Sequence, residues 1–386
     1  MQLIPRIKNV VDEREDLITL HELKNFPVFM GCVLHDSGDD ICADMTWAIS
    51  KHTGIIQLTE LIPLNILYKN EHDSGVVGKV WLEHHQAFAN FINKFKPKSI
   101  LEIGGGHGIL SREYKKLDDI DWTILEPNPS PTDGVDANYI EGFFDDNFIL
   151  HDEVDTLIHS HVFEHVYFPD KFNSDIASFL KEGQNLIFSL PNMEEMLKRN
   201  YTNCLNFEHS IFITEPYVEY FLSKNGLRII KKQYFKEDHS IFYACEKDAN
   251  TKLIKLPKNL YDHNNKLYLD YLHYYQKLIA KINEKILKTE LNQSIYLFGA
   301  HIFSQLLIQF GLSTKRIINL LDNDVKKQGR RLYGTNLIVK SPQILKDIKS
   351  PIVILKAGVY NKEISEDILE NINANTIFWE DEIVSN

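Results

Sequence analysis

Short apolar runs alternate with helical patterns through the middle of the chain, from Ser99 to about Glu246. The runs are SILEI, WTILE, VDTLIHS, NLIFSL, LRIIKKQYF and SIFYACE. Strands that alternate with helices are typical of βαβ units, so the pattern predicts an α/β fold with a mainly parallel sheet. Only KEDH separates the last two runs, and we expect them to close the sheet as a hairpin.

The flanking segments have different patterns. From Gly78 to Phe95, apolar residues recur near 3.6-residue spacing, which predicts an amphipathic helix. Residues 257–291 predict one or two further helices, and the strand–glycine–helix pattern starts again at Ser294. We therefore expect four parts, which are an N-terminal domain (1–75), a central α/β domain (76–250), a helical linker (251–292) and a second, C-terminal α/β domain (293–386).

Composition narrows the class of protein. The 386 residues include 42 Lys and Arg against 54 Asp and Glu, a net charge of −12 that argues against nucleic acid as the partner. No apolar run is long enough to span a membrane, and the first residues contain no secretory signal. Four cysteines without a Cys-x-x-Cys pair favour reduced thiols, so we expect a cytoplasmic protein.

A glycine-dense turn follows the first central strand, in the register Glu102-x-Gly104-x-Gly106-x-Gly108, with Gly105 inside it. Glycine suits a backbone that turns with positive φ and lets a ligand approach closely. A dinucleotide site requires G-x-G-x-x-G instead, and Glu102 would repel a pyrophosphate. A carboxylate here suits a cationic ligand such as S-adenosylmethionine, which carries a sulfonium and an ammonium group.

The strands that follow supply further candidate ligands for that cofactor. Glu126 ends the second strand, next to Pro127, where a carboxylate can accept both ribose hydroxyls. We expect a third strand after Gly142–Asp146, with Asp145 or Asp146 near the adenine. His161 follows the fourth strand and is also predicted to line the cofactor site.

This ordered set over residues 99–246 resembles class I S-adenosylmethionine-dependent methyltransferases, with D-x-x-x-x-S-H-V-x-E-H-V as its last motif. The resemblance implies a Rossmann-like core and methyl transfer. More narrowly, the whole chain resembles three-domain sugar C-methyltransferases, which join a zinc-binding domain, a methyltransferase and an α/β domain. The stretches that carry this resemblance are Gly54–Leu58, Pro191-Asn192, Phe207-Glu208-His209, Gly299-Ala300-His301 and Leu321–Gly329.

That subgroup implies a small-molecule acceptor, namely a nucleotide-linked sugar or a related surface-glycan precursor, contacted by the N-terminal domain. Because ligand sites concentrate at domain interfaces, we expect the C-terminal domain to line the substrate cleft. It also implies that the His of the Glu-His pair is the general base, which is His209 here with Glu208 orienting it. Tyr68 and His72 are candidates for contact with the acceptor. Glu164 and His165 are expected to be structural or adjacent to the cofactor.

In that subgroup the zinc ligands are two Cys-x-x-Cys pairs. In this chain Ser50 and Thr53 occupy the positions of one pair. Hydroxyls suit zinc poorly, so we expect no metal, although Cys32, His35, Cys42 and His52 could supply four ligands at irregular spacing. His84 and His85 are adjacent on a helix and face different ways, so they do not predict a metal pair.

Three acceptor chemistries stay open. A hydroxyl, or a carbon beside a ketone, needs a general base, whereas an anionic phosphate or phosphoramidate oxygen needs only orientation. A non-catalytic protein that keeps the fold as a binding module is the alternative outside enzymes. Lys326, Lys327, Arg330 and Arg331 form a basic cluster that could meet a diphosphate or be a solvated loop.

Overall fold

The computed structural model describes residues 1–68, 78–145, 148–150 and 153–380. The chain divides into two compact units. Unit 1 comprises Met1–Ile18, Ala48–Glu195 and Glu208–Asn264, and unit 2 comprises Thr19–Trp47, Met196–Phe207 and Asn265–Asn386. The four-part division of the chain stays a prediction.

The N-terminal segment is built mainly of short strands. Its elements are β1 (Ile4–Pro5), β2 (Leu17–Pro27), β3 (Cys32–Val33), β4 (Cys42–Ser50), β5 (Ile56–Leu58), β6 (Glu60–Leu61) and α1 (Leu64–Leu67). Strands β1 and β6 pair antiparallel.

The central segment follows the predicted alternation. Its elements are α2 (Lys79–Asn93), β7 (Ser99–Ile103), α3 (Ile109–Lys115), β8 (Asp121–Glu126), β9 (Asn138–Glu141), β10 (Thr156–Ser160), α4 (Pro169–Phe179), β11 (Asn185–Pro191), α5 (Met193–Lys198), α6 (Glu215–Lys224), β12 (Leu227–Phe235), α7 (Lys236–His239) and β13 (Ser240–Lys247). A 3-10 turn, Phe163–His165, follows β10.

These strands form one seven-stranded sheet in unit 1, in the order β12-β13-β11-β10-β7-β8-β9. Strands β9, β8, β7, β10 and β11 run parallel, and β13 is antiparallel to both β11 and β12. The predicted α/β fold and the hairpin around KEDH are confirmed. The third strand, β9, lies before Gly142 and not after Asp146 as expected, because its four residues include no buried one to mark it as a strand.

Helix α2 packs its apolar face on this sheet, as its periodicity predicts. Phe88, Phe91 and Ile92 are fully buried and join the core formed by Ile124 and Phe242. Positions 84, 88, 91 and 92 are buried because helical residues three and four apart lie on one face.

Unit 2 contains a second α/β layer. The remaining elements are α8 (Leu260–Lys288), β14 (Ile295–Phe298), α9 (Ile302–Gln309), β15 (Ile317–Leu321), β16 (Arg331–Leu332), β17 (Val339–Lys340), β18 (Ile352–Leu355), α10 (Asn361–Asn371) and β19 (Ile377–Trp379). A parallel sheet has the order β17-β15-β14-β18-β19, and β16 pairs with β3. No helix in the described ranges is long and apolar enough to cross a membrane.

Candidate active site

Strand β7 lies between β8 and β10, and the chain runs outward from β7 through β8 to β9 before it returns to β10 on the other side of β7. In open parallel sheets, the crevice at such a switch point, beyond the carboxyl ends of the strands, is where ligands bind. Gly104, Glu126 and His161 stand at or just beyond the ends of these three strands. The topology therefore brings the predicted cofactor residues together at the carboxyl-terminal ends of the central strands.

The glycine loop has the backbone that its sequence predicts. Gly104, Gly106 and Gly108 have φ angles of 71°, 50° and 70°, which L-residues with side chains rarely adopt. A Cβ added at Gly104 would lie 2.7 Å from Val162, whereas one added at Gly106 would meet nothing within 4 Å. The loop is therefore tightly packed at Gly104 and open at Gly106.

Glu102 lies beneath this loop and is only 3% exposed. Its Oε2 accepts a hydrogen bond from Trp122 Nε1 at 2.8 Å. Burial raises the pKa of Glu102 to about 7, and the nearby Glu126 adds to the increase. Direct pairing of this carboxylate with a cationic cofactor stays a prediction.

Glu126 connects the loop to the segment that follows β8. Its Oε2 accepts from the Gly106 N–H at 3.0 Å, and its Oε1 accepts from the Asn128 N–H at 3.1 Å. Asn128 Nδ2 in turn donates to the carbonyl of Tyr68 at 2.6 Å. This chain of hydrogen bonds links the predicted ribose carboxylate to a residue predicted to contact the acceptor.

The other predicted cofactor residues take different positions. Pro127 directly follows Glu126 and is half-buried, and Asp145 is exposed beyond the end of β9. The imidazole of His161 is mostly buried, and its Nε2 lies 3.0 Å from Ser240 Oγ. His72 and Asp146 lie outside the described residues.

A cluster of five polar side chains, called the acid–histidine cluster here, lies beyond the carboxyl end of β10. The Tyr68 hydroxyl is 3.3 Å from His165 Nδ1, and Glu208 Oε2 is 3.8 Å from the same nitrogen. The rings of His165 and His209 have centroids 5.3 Å apart. Glu164 Oε1 lies 3.9 Å from His165 Nε2 and completes the cluster.

Burial is the main cause of the shifted pKa values of Glu164 and Tyr68 in this cluster. Burial raises the pKa of Glu164, and the neighbouring His165 and His209 only partly oppose that increase. Burial also raises the pKa of Tyr68 well above its usual value, and the carboxylates of Glu208 and Glu164 raise it further. Tyr68 is therefore a neutral phenol at neutral pH and can donate a hydrogen bond.

Main-chain contacts fix the segment that carries Glu208 and His209. The Leu58 N–H donates to the carbonyl of Ser210, and Ser210 Oγ donates to the carbonyl of Val166. The buried Arg6 guanidinium donates to three carbonyls, those of Leu58, Tyr167 and Ser210. These contacts hold both Glu-His segments against β5.

The structure brings together Glu164-His165 and Glu208-His209, for which the sequence predicts separate roles. Glu164-His165 was expected to be structural or adjacent to the cofactor, yet it contacts Tyr68 and Glu208. The one sequence feature that could have indicated this contact is the repetition of the Glu-His dipeptide, after β10 and at Glu208-His209.

Two groups in the described residues could hold a metal ion. They are Glu164, His165 and His209, and, separately, His84, His161 and His239. The N-terminal candidates have other partners. Cys32 Sγ donates to the Ala300 carbonyl, His35 lies beside Asp40, and His52 Nδ1 is 2.6 Å from Asp12.

The predicted basic cluster is partly neutralised. Arg331 is buried, and its guanidinium forms two 2.7 Å hydrogen bonds with the carboxylate of Asp40. Lys327 Nζ lies 3.6 Å from Asp322. Arg331 is therefore a structural cation of unit 2 and not part of a solvated loop.

The residues at the switch point fit S-adenosylmethionine. The space over Gly106 admits close approach of a ligand to the loop backbone, and Glu126 offers a carboxylate with a fixed orientation beside it. A cationic nucleoside matches an edge whose acidic side chains are Glu102 and Glu126.

Comparison with known proteins gives one family match. Residues 79–232 match the family model described as "Methyltransferase domain". No curated protein matches the chain.

Among solved structures, the chain is similar to an O-methyltransferase family protein from Burkholderia thailandensis (10% identity, 44% of this chain and 57% of that one, TM-score 0.35). It is also similar to an S-adenosylmethionine-dependent methyltransferase from Mesorhizobium loti (12%, 41% and 96%, 0.33) and to the N-methyltransferase NodS from Bradyrhizobium japonicum (12%, 45% and 99%, 0.33). The chain thus spans little more than half of the Burkholderia protein. The family match, which includes the glycine loop, identifies residues 79–232 as a methyltransferase domain of the class that uses S-adenosylmethionine.

Proposed function

We propose that this enzyme methylates a small polar acceptor, a nucleotide-linked sugar or related surface-glycan precursor, at carbon or oxygen, with His209 as the general base. The observation that carries the proposal is the acid–histidine cluster. It lies at the same sheet edge as the glycine loop, and hydrogen bonds connect Glu126 through Asn128 to Tyr68.

The cofactor supplies an activated methyl group, so the protein's task is to orient the acceptor and to remove its proton. His209 is half-buried, next to His165, and imidazole is the side chain most often used as a general base. In this proposal the acceptor's proton passes to His209 as the acceptor atom takes the methyl group, and the methyl–sulfur bond breaks to leave neutral S-adenosylhomocysteine.

The neighbouring groups support that role. Glu164 is a buried carboxylate whose field stabilises positive charge on the two imidazoles. Neutral Tyr68 can donate a hydrogen bond to oxygen, either the acceptor's own or an enolate oxygen formed beside a ketone. An anionic acceptor oxygen would need neither group.

The test uses a panel of nucleotide-linked sugars with hydroxyl or keto groups, with trideuteromethyl cofactor and mass spectrometry of the products. We expect a labelled sugar nucleotide from wild type, a loss of at least a hundredfold in kcat for His209→Asn, and unchanged affinity for S-adenosylhomocysteine. His263→Asn is the matched control, because this imidazole is exposed and paired with Glu194.

A second measurement separates carbon from oxygen acceptors. If the acceptor is a carbon beside a ketone, wild type with S-adenosylhomocysteine should exchange the proton on that carbon for deuterium from the solvent. His209→Asn should not catalyse this exchange. Full turnover by His209→Asn would overturn the base and indicate an anionic oxygen acceptor. Absence of any product across the panel would overturn the sugar acceptor.

A further inference from the structure

A second group of histidines surrounds the indole of Trp81 in unit 1, outside the acid–histidine cluster. The ring centroids of His84, His161 and His239 lie 5.3, 4.9 and 5.0 Å from that of Trp81. His84 is on α2, His161 follows β10, and His239 ends α7 just before β13. We call these three residues the tri-histidine cluster.

The spacing of these rings is that of metal ligands. One ring nitrogen from each lies within 4.8 Å of the others. Their centroids are 5.2 Å apart for His84 and His161, 5.3 Å for His84 and His239, and 6.1 Å for His161 and His239. Three imidazoles on a tetrahedral zinc, with Zn–N of about 2.0–2.1 Å, place neighbouring centroids about 5 Å apart.

One buried ring nitrogen of the cluster is left unsatisfied within the described residues. His84 Nδ1 has no hydrogen-bond partner in the described chain, although it is buried.

The surrounding groups complete this pattern. Ser240 Oγ lies 3.0 Å from His161 Nε2 and 2.6 Å from His239 Nδ1, so the two imidazoles share this hydroxyl as a hydrogen-bond partner, and a metal ion on these nitrogens would replace those hydrogen bonds. On its other side, His161 Nδ1 is 3.3 Å from Glu164 Oε1. Glu164 is 1% exposed, and its oxygens have no hydrogen-bond partner on another residue of the described chain. A carboxylate in this position is free to accept the N–H of a ligating imidazole, and such a hydrogen bond fixes the tautomer and strengthens the ligand.

We propose that His84, His161 and His239 bind one divalent transition metal ion of the zinc type, with Glu164 orienting His161 and an oxygen at the fourth position. The ion would join α2, the end of β10 and the β12–β13 hairpin at the border of the cofactor site. The inference does not depend on the acceptor named above.

The experiment titrates Zn²⁺ into the full chain after removal of metal with a chelator, and follows binding by calorimetry. We expect one Zn²⁺ per chain, and a loss of affinity of at least tenfold in His84→Gln and in His239→Gln. His85→Gln is the matched control, because His85 is the next residue on α2 and both of its ring nitrogens are buried outside the proposed set. Circular dichroism and S-adenosylhomocysteine binding report whether each variant is folded.

X-ray absorption of the zinc-loaded wild type decides the matter even if the variants fail to fold. Three imidazole nitrogens at about 2.0–2.1 Å support the proposal, and any smaller number overturns it. It is also overturned if wild type binds no Zn²⁺, or if His85→Gln loses as much affinity as His84→Gln. Loss of binding in His165→Gln with retention in His84→Gln would assign the metal to the acid–histidine cluster instead.

Discussion

The carboxylate of Glu102 accepts a 2.8 Å hydrogen bond from the indole of Trp122, and it does so directly beneath Gly105. Glu102 therefore has a buried structural role, in addition to the pairing with a cationic ligand that the sequence predicts for it. Because burial raises the pKa of Glu102 to about 7, its ionisation near neutral pH is coupled both to folding and to any cation bound above it.

The stability of the cofactor-free protein should therefore fall as pH rises from about 4.5 to 7. In this window Glu102 keeps its proton in the folded state and loses it in the unfolded state. The free energy of unfolding should therefore decrease by at most about 1.4 kcal/mol per pH unit. Glu102→Gln keeps an oxygen for Trp122 but cannot ionise, so it should remove this component. Urea unfolding at several pH values measures it. The same pH dependence in both proteins would show that Glu102 does not titrate there.

Cofactor binding gives a separate prediction from the same residue. If the positive charge of S-adenosylmethionine is paired with the Glu102 carboxylate, its affinity should rise with pH through about 7 in wild type. Glu102→Gln should bind with an affinity that is lower and nearly independent of pH. Calorimetric titration at pH 6, 7 and 8 tests this, and identical profiles would mean that the two charges are not coupled.

Two neighbouring glycines should respond differently to a methyl group. In Gly105→Ala the Cβ would lie 2.6 Å from Ile124 and 2.8 Å from Glu102, so folding itself should be destabilised. In Gly106→Ala the methyl meets no protein atom within 4 Å, and only the positive φ costs about 1 kcal/mol. The second variant should fold but bind S-adenosylhomocysteine at least tenfold more weakly. Thermal unfolding and calorimetry separate the two effects, and unchanged binding by Gly106→Ala would place the cofactor elsewhere.

Glu126→Ala should weaken cofactor binding with little loss of stability. The side chain is half-buried, and it bonds only the backbone N–H groups of Gly106 and Asn128 among its described partners. If this carboxylate accepts the two ribose hydroxyls, as the sequence predicts, its loss should lower affinity by at least tenfold. Glu153→Ala is the control, because Glu153 is an exposed residue at the opposite end of β10, paired with Lys181. Equal affinities in the two variants would contradict the role of Glu126.

Arg6→Met should destabilise unit 1 and also lower kcat. Removal of the guanidinium leaves the carbonyls of Leu58, Tyr167 and Ser210 without this donor, at a cost of about 1–3 kcal/mol for each one that stays buried. Because Ser210 follows His209, the base should lose its fixed position. The exposed Arg14→Met is the control. Denaturant unfolding and steady-state kinetics measure both effects, and wild-type values for Arg6→Met would refute them.

The sequence alone predicted those features that arise from local physics. The alternation of strands and helices, the hairpin at KEDH and helix α2 follow from periodicity, which records which face of each element is buried. The glycine loop was predicted because only glycine adopts its positive φ angles at little cost. The third strand was misplaced because β9 has four residues and no buried one, and so carries no hydrophobic signal.

Tertiary structure decided which polar residues meet. Nothing in their spacing indicates that Tyr68, His165 and Glu208 are neighbours, or that His84, His161 and His239 surround one indole. Their positions depend on the order of strands in the sheet and on main-chain bonds such as those of Arg6. These contacts join residues far apart in the chain, and a local pattern of polar and apolar positions does not encode them.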